Sequence, residues 1–354
     1  MKAMIMAAGV GSRLMPLTMQ IPKPMVPMAN RPLMENIVDV LQRHGFTNII
    51  ANLHYHADVI SDYFGDGKGH GVEIAYSLEA ELLGTAGGVK NCEWFLDDTF
   101  VIVSGDALTD IDLTKLILAH KKNGALATIA LKPVEEVEEF GVVITDELGR
   151  INRFQEKPKA AQALSNLANT GIYIFEPEVF KYIPKGQFYD FGKQVFPHLV
   201  KIKAPFYGVT IDDYWCDVGN LETYRQAHDD ILDGQVRVDL KGDLIKTPYG
   251  KALIDEGVSI DPGVRLEGNV VLGAQCRVED GAVIKDSVIW AHTIINQNVV
   301  IEASVLGEGC SIGRYSSIKP GAVIAGGCIL EENVDINPGQ KVFSSSIDHK
   351  LNQG

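Results

Sequence analysis

The sequence contains no apolar run approaching the 18 residues of a membrane-spanning helix. Its opening residues lack a basic region followed by a long apolar stretch, because Gly9, Gly11 and Arg13 interrupt the apolar start, so a secretory signal is not expected. Cysteine is scarce: five residues (Cys92, Cys216, Cys276, Cys310 and Cys328), odd in number and without a Cys-x-x-Cys pair. That argues against a disulfide framework and a zinc site, and it fits a reducing, cytoplasmic setting. Positive charge is also short, the formal net charge being −14. A polyanion binder shows a basic face, so nucleic acid is not an expected partner, and without a spanning run neither is a membrane. Two familiar nucleotide motifs are missing. There is no Gly-x-x-x-x-Gly-Lys-Ser/Thr, and Leu14 stands where Gly-x-Gly-x-x-Gly would place its third glycine.

What is present starts at once. Met4 to Ala8 is a short apolar run that reads as a buried strand, and it stops at Gly9 and Gly11. Glycines there let the backbone approach a ligand and turn its N–H groups inward, the way a loop grips phosphate. Arg13 and Lys23 add positive charge, and Pro22 and Pro24 stiffen the segment that presents the lysine. The stretch from Ala7 and Ala8 through Gly11, Ser12 and Arg13 to Lys23 therefore reads as a triphosphate cradle. An acidic protein that binds a triphosphate needs such local positive islands and a divalent cation.

At 354 residues with 46% apolar content, the chain exceeds one ordinary core and suits two domains. After the cradle, Pro32 opens a helix with apolar residues at Leu33, Ile37, Val40 and Leu41, which Gly45 closes. Strands are expected at Asn48 to Leu53 and Val72 to Ser77, with a helix at Ala57 to Phe64 between them. This alternation continues to about residue 135. It predicts an α/β fold, a Rossmann-like, mostly parallel sheet with helices on both faces and ligands at the strands' carboxyl ends. Leu83-Gly84-Thr85-Ala86-Gly87-Gly88 is a second glycine-rich loop, where backbone groups can read a base edge unobstructed. Phe100 to Asp106 reads as a buried strand ending in a carboxylate at the site mouth. Asp112 is expected to cap a helix from Leu113 to Asn123, and Asn220 one running to Leu232. Asp217, paired with Asp106, would supply the hard oxygen ligands that Mg²⁺ prefers. His44, His54 and His56 read as loop or surface histidines.

The composition changes after Gly234. Residues 235–257 read as a linker, and a six-residue repeat follows. Ile260, Leu266, Leu272, Val278 and Ile284 stand six apart; after a phase break at Lys285 to Ser287 the anchors are Val288, Ile294, Val300, Leu306, Ile312, Ile318, Ile324, Leu330, Ile336 and Val342. This period marks a β-helix, one short strand per hexad and three per coil, and fifteen anchors imply five coils. Coils cannot bury their own ends, so capping or self-association is expected, with a homo-oligomer formed through this domain. The expected division is a catalytic domain at 1–234, the linker, a β-helix at 258–343 and a polar, mobile tail at 344–354.

The string Gly9-x-Gly11-Ser12-Arg13-Leu14-x-Pro16-Leu17-Thr18 with Pro22-Lys23-Pro24 resembles the signature of the nucleotide-sugar pyrophosphorylases, the sugar-1-phosphate nucleotidyltransferases. That family usually has Thr where this chain has Ser12, and the hydroxyl survives. The resemblance extends over nearly the whole chain, and the repeats are similar to the left-handed β-helix of hexapeptide-repeat proteins. It implies that Gly84 and Thr85 lie along the nucleotide base and that Asp106 holds Mg²⁺. It implies further that Gly141, Glu156, Lys157, Asn169 and Thr170 line a sugar-phosphate pocket. Hexose hydroxyls want Glu and Asn, and a phosphate wants lysine.

Length, domain order and the strings Leu83-Gly84-Thr85-Ala86-Gly87, Glu156-Lys157-Pro158 and Val195-Phe196-Pro197 most resemble the mannose-1-phosphate guanylyltransferase branch. GTP and mannose 1-phosphate are thus the expected substrates, with Glu79 or Glu81 accepting guanine's adjacent N1–H and N2–H₂ donors. Relatives using glucose 1-phosphate with UTP, dTTP or ATP share the cradle and stay open. Two other readings are weaker. A non-catalytic paralogue sensing nucleotide sugars would tend to lose Arg13, Lys23, Asp106 or Asp217, and all four are present. An acyltransferase β-helix needs a base on the coils, where only His292 is available, and a surface-loop role suits it better.

Overall fold

The computed structural model describes residues 1–344. Of the expected polar tail, all but Ser344 lies outside the described residues; Ser344 itself is buried. The chain forms two compact units. One takes Met1–Val10 and Met34–Asp217; the other takes Gly11–Leu33 and the chain from Val218 onward.

The first unit is built on a nine-stranded sheet. Lys2–Met6 lies between Phe100–Ser104 and Asn48–Leu53, and Glu73–Leu78 follows outside, all four parallel. Val101, Ile102, Val103, Met4, Ile5, Ile49 and Ile50 are fully buried, as strands covered on both faces must be. Helices Leu33–Arg43, Ala57–Phe64, Gly84–Asn91 and Leu113–Lys122 supply the crossovers.

Beyond residue 135 the sheet becomes mixed. Gly141–Thr145 and Ile151–Glu156 form an antiparallel pair across a turn where Gly149 takes φ +80°. That connection is far too short for a parallel crossover. Leu167–Phe175 then runs antiparallel to Phe100–Ser104 and Ala127–Pro133. The expected caps are present: Asp112 accepts from Lys115 N at 3.1 Å, and Asn220 forms a capping box with Thr223.

In the second unit, helix Leu221–Leu232 precedes a hairpin of Asp243–Thr247 and Tyr249–Ile254, whose second strand pairs in parallel with Arg265–Leu272. A parallel β-helix continues to Lys341–Val342. Three ladders of aliphatic side chains fill it. One runs Leu272, Ile289, Leu306, Ile324, Val342; the others descend from Ile260 and Leu266 in the same way. The register corrects three expected anchors. Ile289, Ile295 and Ile301 are fully buried, whereas Ile294 is 41% exposed and Val300 only half-buried. Ile294 and Val300 are therefore the outer neighbours of the ladder residues, and Val288, though buried, yields its place in the ladder to Ile289. Each sits in an aliphatic doublet, so hydrophobicity alone could not say which member points inward. The repeat steps five residues from Ile284 to Ile289 and again from Ile301 to Leu306, closing 17-residue coils in place of 18.

Candidate active site

Parallel strands end their carboxyl tips at Met6 and Ser104, and a pocket of about 270 Å³ opens beside them. Asp106 reaches it from the turn after Phe100–Ser104, and Ser104 donates its hydroxyl to Asp106 Oδ1 at 2.5 Å. Asp217 reaches it from Trp215–Asp217, which pairs antiparallel with Ala107–Thr109 so that Asp217 stands opposite Ala107. Two carboxylates more than a hundred residues apart thus meet at one pocket because two short strands pair.

The same pocket receives Thr85, Gly141, Glu156, Lys157, Asn169 and Thr170. Glu156 ends its strand at an exposed position; partial burial of its carboxyl, then the nearby Asp190 carboxylate, push that carboxyl above the ordinary range. Gly141 and Gly192 make room for it: a Cβ on either would come within 3.0 Å and 2.5 Å of Glu156 Oε2. Lys157 adopts φ +43°, a sparsely populated conformation for a residue with a side chain, with its N–H bonded to Phe140 O. Asn169 donates to the Tyr173 hydroxyl at 3.0 Å and accepts from Gly171 N at 3.1 Å. Thr170 borders the pocket, but its hydroxyl is donated to Ala130 O at 2.7 Å and is turned into the sheet.

The second glycine-rich segment is the beginning of a helix, Gly84–Asn91, and not a free loop. Gly84 takes φ +73°, and a Cβ there would meet Tyr189 O at 2.6 Å. Tyr189 O accepts from Ala86 N and Gly87 N, while the Thr85 hydroxyl donates to Asp190 and accepts from Phe191 N. This bracing segment was invisible in the sequence, because it comes from a hundred residues downstream. Trp215, Phe140 and Glu139 also line the pocket, and Trp215 donates its indole N–H to Thr170 O. A tryptophan beside Asp217 was the only local signal.

Glu79 has a different place from the one expected of a base reader. It is 3% exposed, with Oε1 accepting from Asn52 at 2.7 Å and Oε2 from Leu83 N at 3.0 Å. Asn52 in turn accepts from Ala7 N at 3.0 Å, so Glu79 ties the end of the first strand to the start of the second motif. Glu81 is exposed. Ala7 and Ala8 are buried at the end of the first strand, and Gly9 is exposed.

Gly11, Ser12, Arg13 and Lys23 belong to the second unit. Gly11 is left-handed, φ +69°, and a Cβ on it would lie 2.6 Å from Lys23 Cβ, so glycine is what allows these two to pack. The Thr18 hydroxyl donates to Gly11 O at 2.9 Å, closing the loop. Ser12 and Arg13 are exposed; Lys23 is buried. No group of three or more His, Cys, Asp or Glu suited to a metal occurs among the described residues, and no disulfide joins any of the five cysteines. No described helix is long and apolar enough to cross a membrane.

Residues 2–234 match the nucleotidyl transferase family model, and residues 249–351 match the GMPPB C-terminal domain. The chain is 45% identical, over 79% of its length and 76% of the relative's, to a UTP–glucose-1-phosphate uridylyltransferase from Synechocystis sp.. It is 32% identical to a mannose-1-phosphate guanylyltransferase of Mycobacterium tuberculosis, covering 79% of this chain and 77% of that one. A crystal structure of a putative glucose-1-phosphate thymidylyltransferase from Bacillus anthracis superposes with a TM-score of 0.61 at 25% identity, over 67% of this chain and 97% of that one. With a signature loop, a mixed α/β sheet and a parallel β-helix all accounted for, the chain belongs to the nucleotidyl transferase family, among the sugar-1-phosphate nucleotidyltransferases.

Proposed function

We propose that the chain transfers a nucleotidyl group from an NTP to a hexose 1-phosphate, releasing pyrophosphate, and that its pair is UTP and glucose 1-phosphate. The observation that carries the reaction is the single pocket bordered by Asp106, Asp217, Glu156, Lys157 and Asn169. A phosphate oxygen of the sugar phosphate attacks the α-phosphorus in line, the bond from the α-phosphorus to the β-phosphate oxygen breaks, and pyrophosphate departs. Little covalent work falls to the protein, so its residues position groups and balance charge. Lys157 is assigned to the sugar's phosphate, and Glu156 and Asn169 to its hydroxyls. Arg13 is assigned to charge growing on the departing pyrophosphate, and Lys23 to the α-phosphate.

Asp106 and Asp217 fit Mg²⁺, which typically takes one or two carboxylates plus substrate phosphate oxygens, and when bound it would neutralise charge on the transferring phosphate. Removing Arg13 or Lys23 as Arg13→Ala or Lys23→Ala is expected to lower kcat/KM by roughly 10²–10³, the scale of one lost electrostatic stabiliser. A variant that keeps most of its activity would remove that residue's role.

The substrate pair departs from the GTP and mannose 1-phosphate expected from the sequence. Glu79 has both carboxylate oxygens engaged within the protein, which weakens the physical case for guanine. The 45% identical relative named for UTP and glucose 1-phosphate supports the other pair. GTP with mannose 1-phosphate stays as a second reading, supported by the GMPPB C-terminal match and by the exposed Glu81. Pyrophosphate release from UTP, GTP, dTTP and ATP, each with glucose or mannose 1-phosphate, decides between them. UTP with glucose 1-phosphate is expected to turn over fastest. Fastest turnover of GTP with mannose 1-phosphate would install the second reading, and nucleotide binding without turnover in Mg²⁺ would make the chain a sensor.

A further inference from the structure

The phosphate motif does not end at Lys23. Four residues on, Pro27–Met28 and Arg31–Pro32 form a tight hairpin whose turn residues, Ala29 and Asn30, both take positive φ, 52° and 65°. Between them, Lys23–Met25 is a single tight turn, with Val26 N donating back to Lys23 O at 3.1 Å. The placement of Lys23 therefore follows the placement of this hairpin.

The hairpin is held from within its own compact unit by the helix Leu221–Leu232 and the first coils. Tyr224 is fully buried; its hydroxyl donates to Pro27 O at 2.5 Å and accepts from the Trp290 indole N–H at 3.0 Å. Trp290 stands directly after the coil strand Val288–Ile289 and is 6% exposed. One turn along the helix, His228 accepts from Ala29 N at 3.3 Å and is fixed in that tautomer by its contact with Tyr224 O at 2.9 Å. Asn30 donates to Leu272 O, on the ladder itself, at 3.2 Å. Losing the Tyr224 hydroxyl would leave the part-buried Pro27 carbonyl without this short hydrogen bond, so the relay favours one geometry.

We propose that Tyr224 and Trp290 are positioning residues for nucleotidyl transfer, through which the β-helix sets the place of Lys23. The β-helix is then part of the catalytic apparatus in addition to any part in assembly. This rests on the assignment of Lys23 to the nucleotide's phosphates.

The test is a double-mutant cycle in the full-length protein, with pyrophosphate release as the readout. Tyr224→Phe in the otherwise native chain is expected to lower kcat/KM for the NTP about tenfold, the free-energy scale of one hydrogen bond, with KM for the sugar 1-phosphate unchanged. In a Lys23→Ala background the same change is expected to cost less than about twofold, because there is no lysine left to misplace. Equal losses in both backgrounds would overturn the proposal, since a purely structural role lowers activity whether or not Lys23 is present. Trp290→Phe repeats the cycle while keeping the aromatic bulk, and it decides the matter if Tyr224→Phe does not fold. If Lys23→Ala by itself leaves kcat/KM near native, the phosphate assignment of Lys23 has failed, and this proposal falls with it.

Discussion

At the scale of single residues, the pocket depends on places where a side chain must be absent and on one carboxyl whose surroundings oppose its charge. Gly84 combines φ +73° with a backbone oxygen 2.6 Å from where a Cβ would stand. Gly84→Ala is therefore expected to destabilise the protein by about 1–3 kcal/mol and to raise KM for the NTP, checked by thermal melting and steady-state kinetics. Glu156 is held above the ordinary glutamate range by burial and by Asp190. If its ionised form accepts from sugar hydroxyls, the loss of sugar 1-phosphate affinity on acidification sets in at a higher pH than for an ordinary glutamate. Asp190→Asn removes the neighbouring charge, so the acid limb of kcat/KM should move to lower pH. An unmoved limb would mean that Asp190 does not govern Glu156. The motif residues were legible because glycine, lysine and carboxylate at fixed offsets have few other uses together. Tyr189 and Asp190 were not, since their role lies in contacts across a hundred residues.

At the scale of elements, helix ends were the most readable feature, because a cap is satisfied within four residues of chain. What the helix Leu221–Leu232 does for its surroundings was not readable. His228 lies on it fully enclosed, and burial pushes its imidazole down to about 4 from the ordinary 6.5. The folded state holds it neutral, while the unfolded chain takes up a proton below about 6.5. Its contribution is thus fully present above that pH and is lost as pH falls toward 4, by on the order of 3 kcal/mol. Urea unfolding at pH 7.5 and pH 4.5 should show this loss in the native protein and a smaller one in His228→Gln. Equal losses would assign the acid sensitivity elsewhere. The second glycine-rich segment gives the complementary lesson. Its composition suggested a loop and helix start, and the downstream backbone satisfies its first free N–H groups and lets the helix begin there.

At the scale of the whole molecule, stability along the β-helix comes from repeated burial, each anchor stacking on its neighbours one coil away. Ile301 is fully buried between Ile284 and Ile318. Ile301→Ala is expected to cost about 2–5 kcal/mol, read from the shift of the denaturant midpoint, whereas Ile294→Ala, on an exposed neighbour, should cost far less. Similar costs would restore the register in which Ile294 is the anchor.

By itself, the sequence determined the alternation of strands and helices in its first part, the signature loop and the coiled repeat. Each of these is written in local periodicity, in turn chemistry or in residue types that few other roles require. Only the tertiary structure decided which member of each aliphatic doublet faces inward, that Glu79 is buried between Asn52 and Leu83, and that the phosphate motif from Gly11 to Leu33 packs in the unit of the β-helix. Such outcomes depend on which distant side chains fill a space or complete a hydrogen bond. Spacing along the chain carries no record of that.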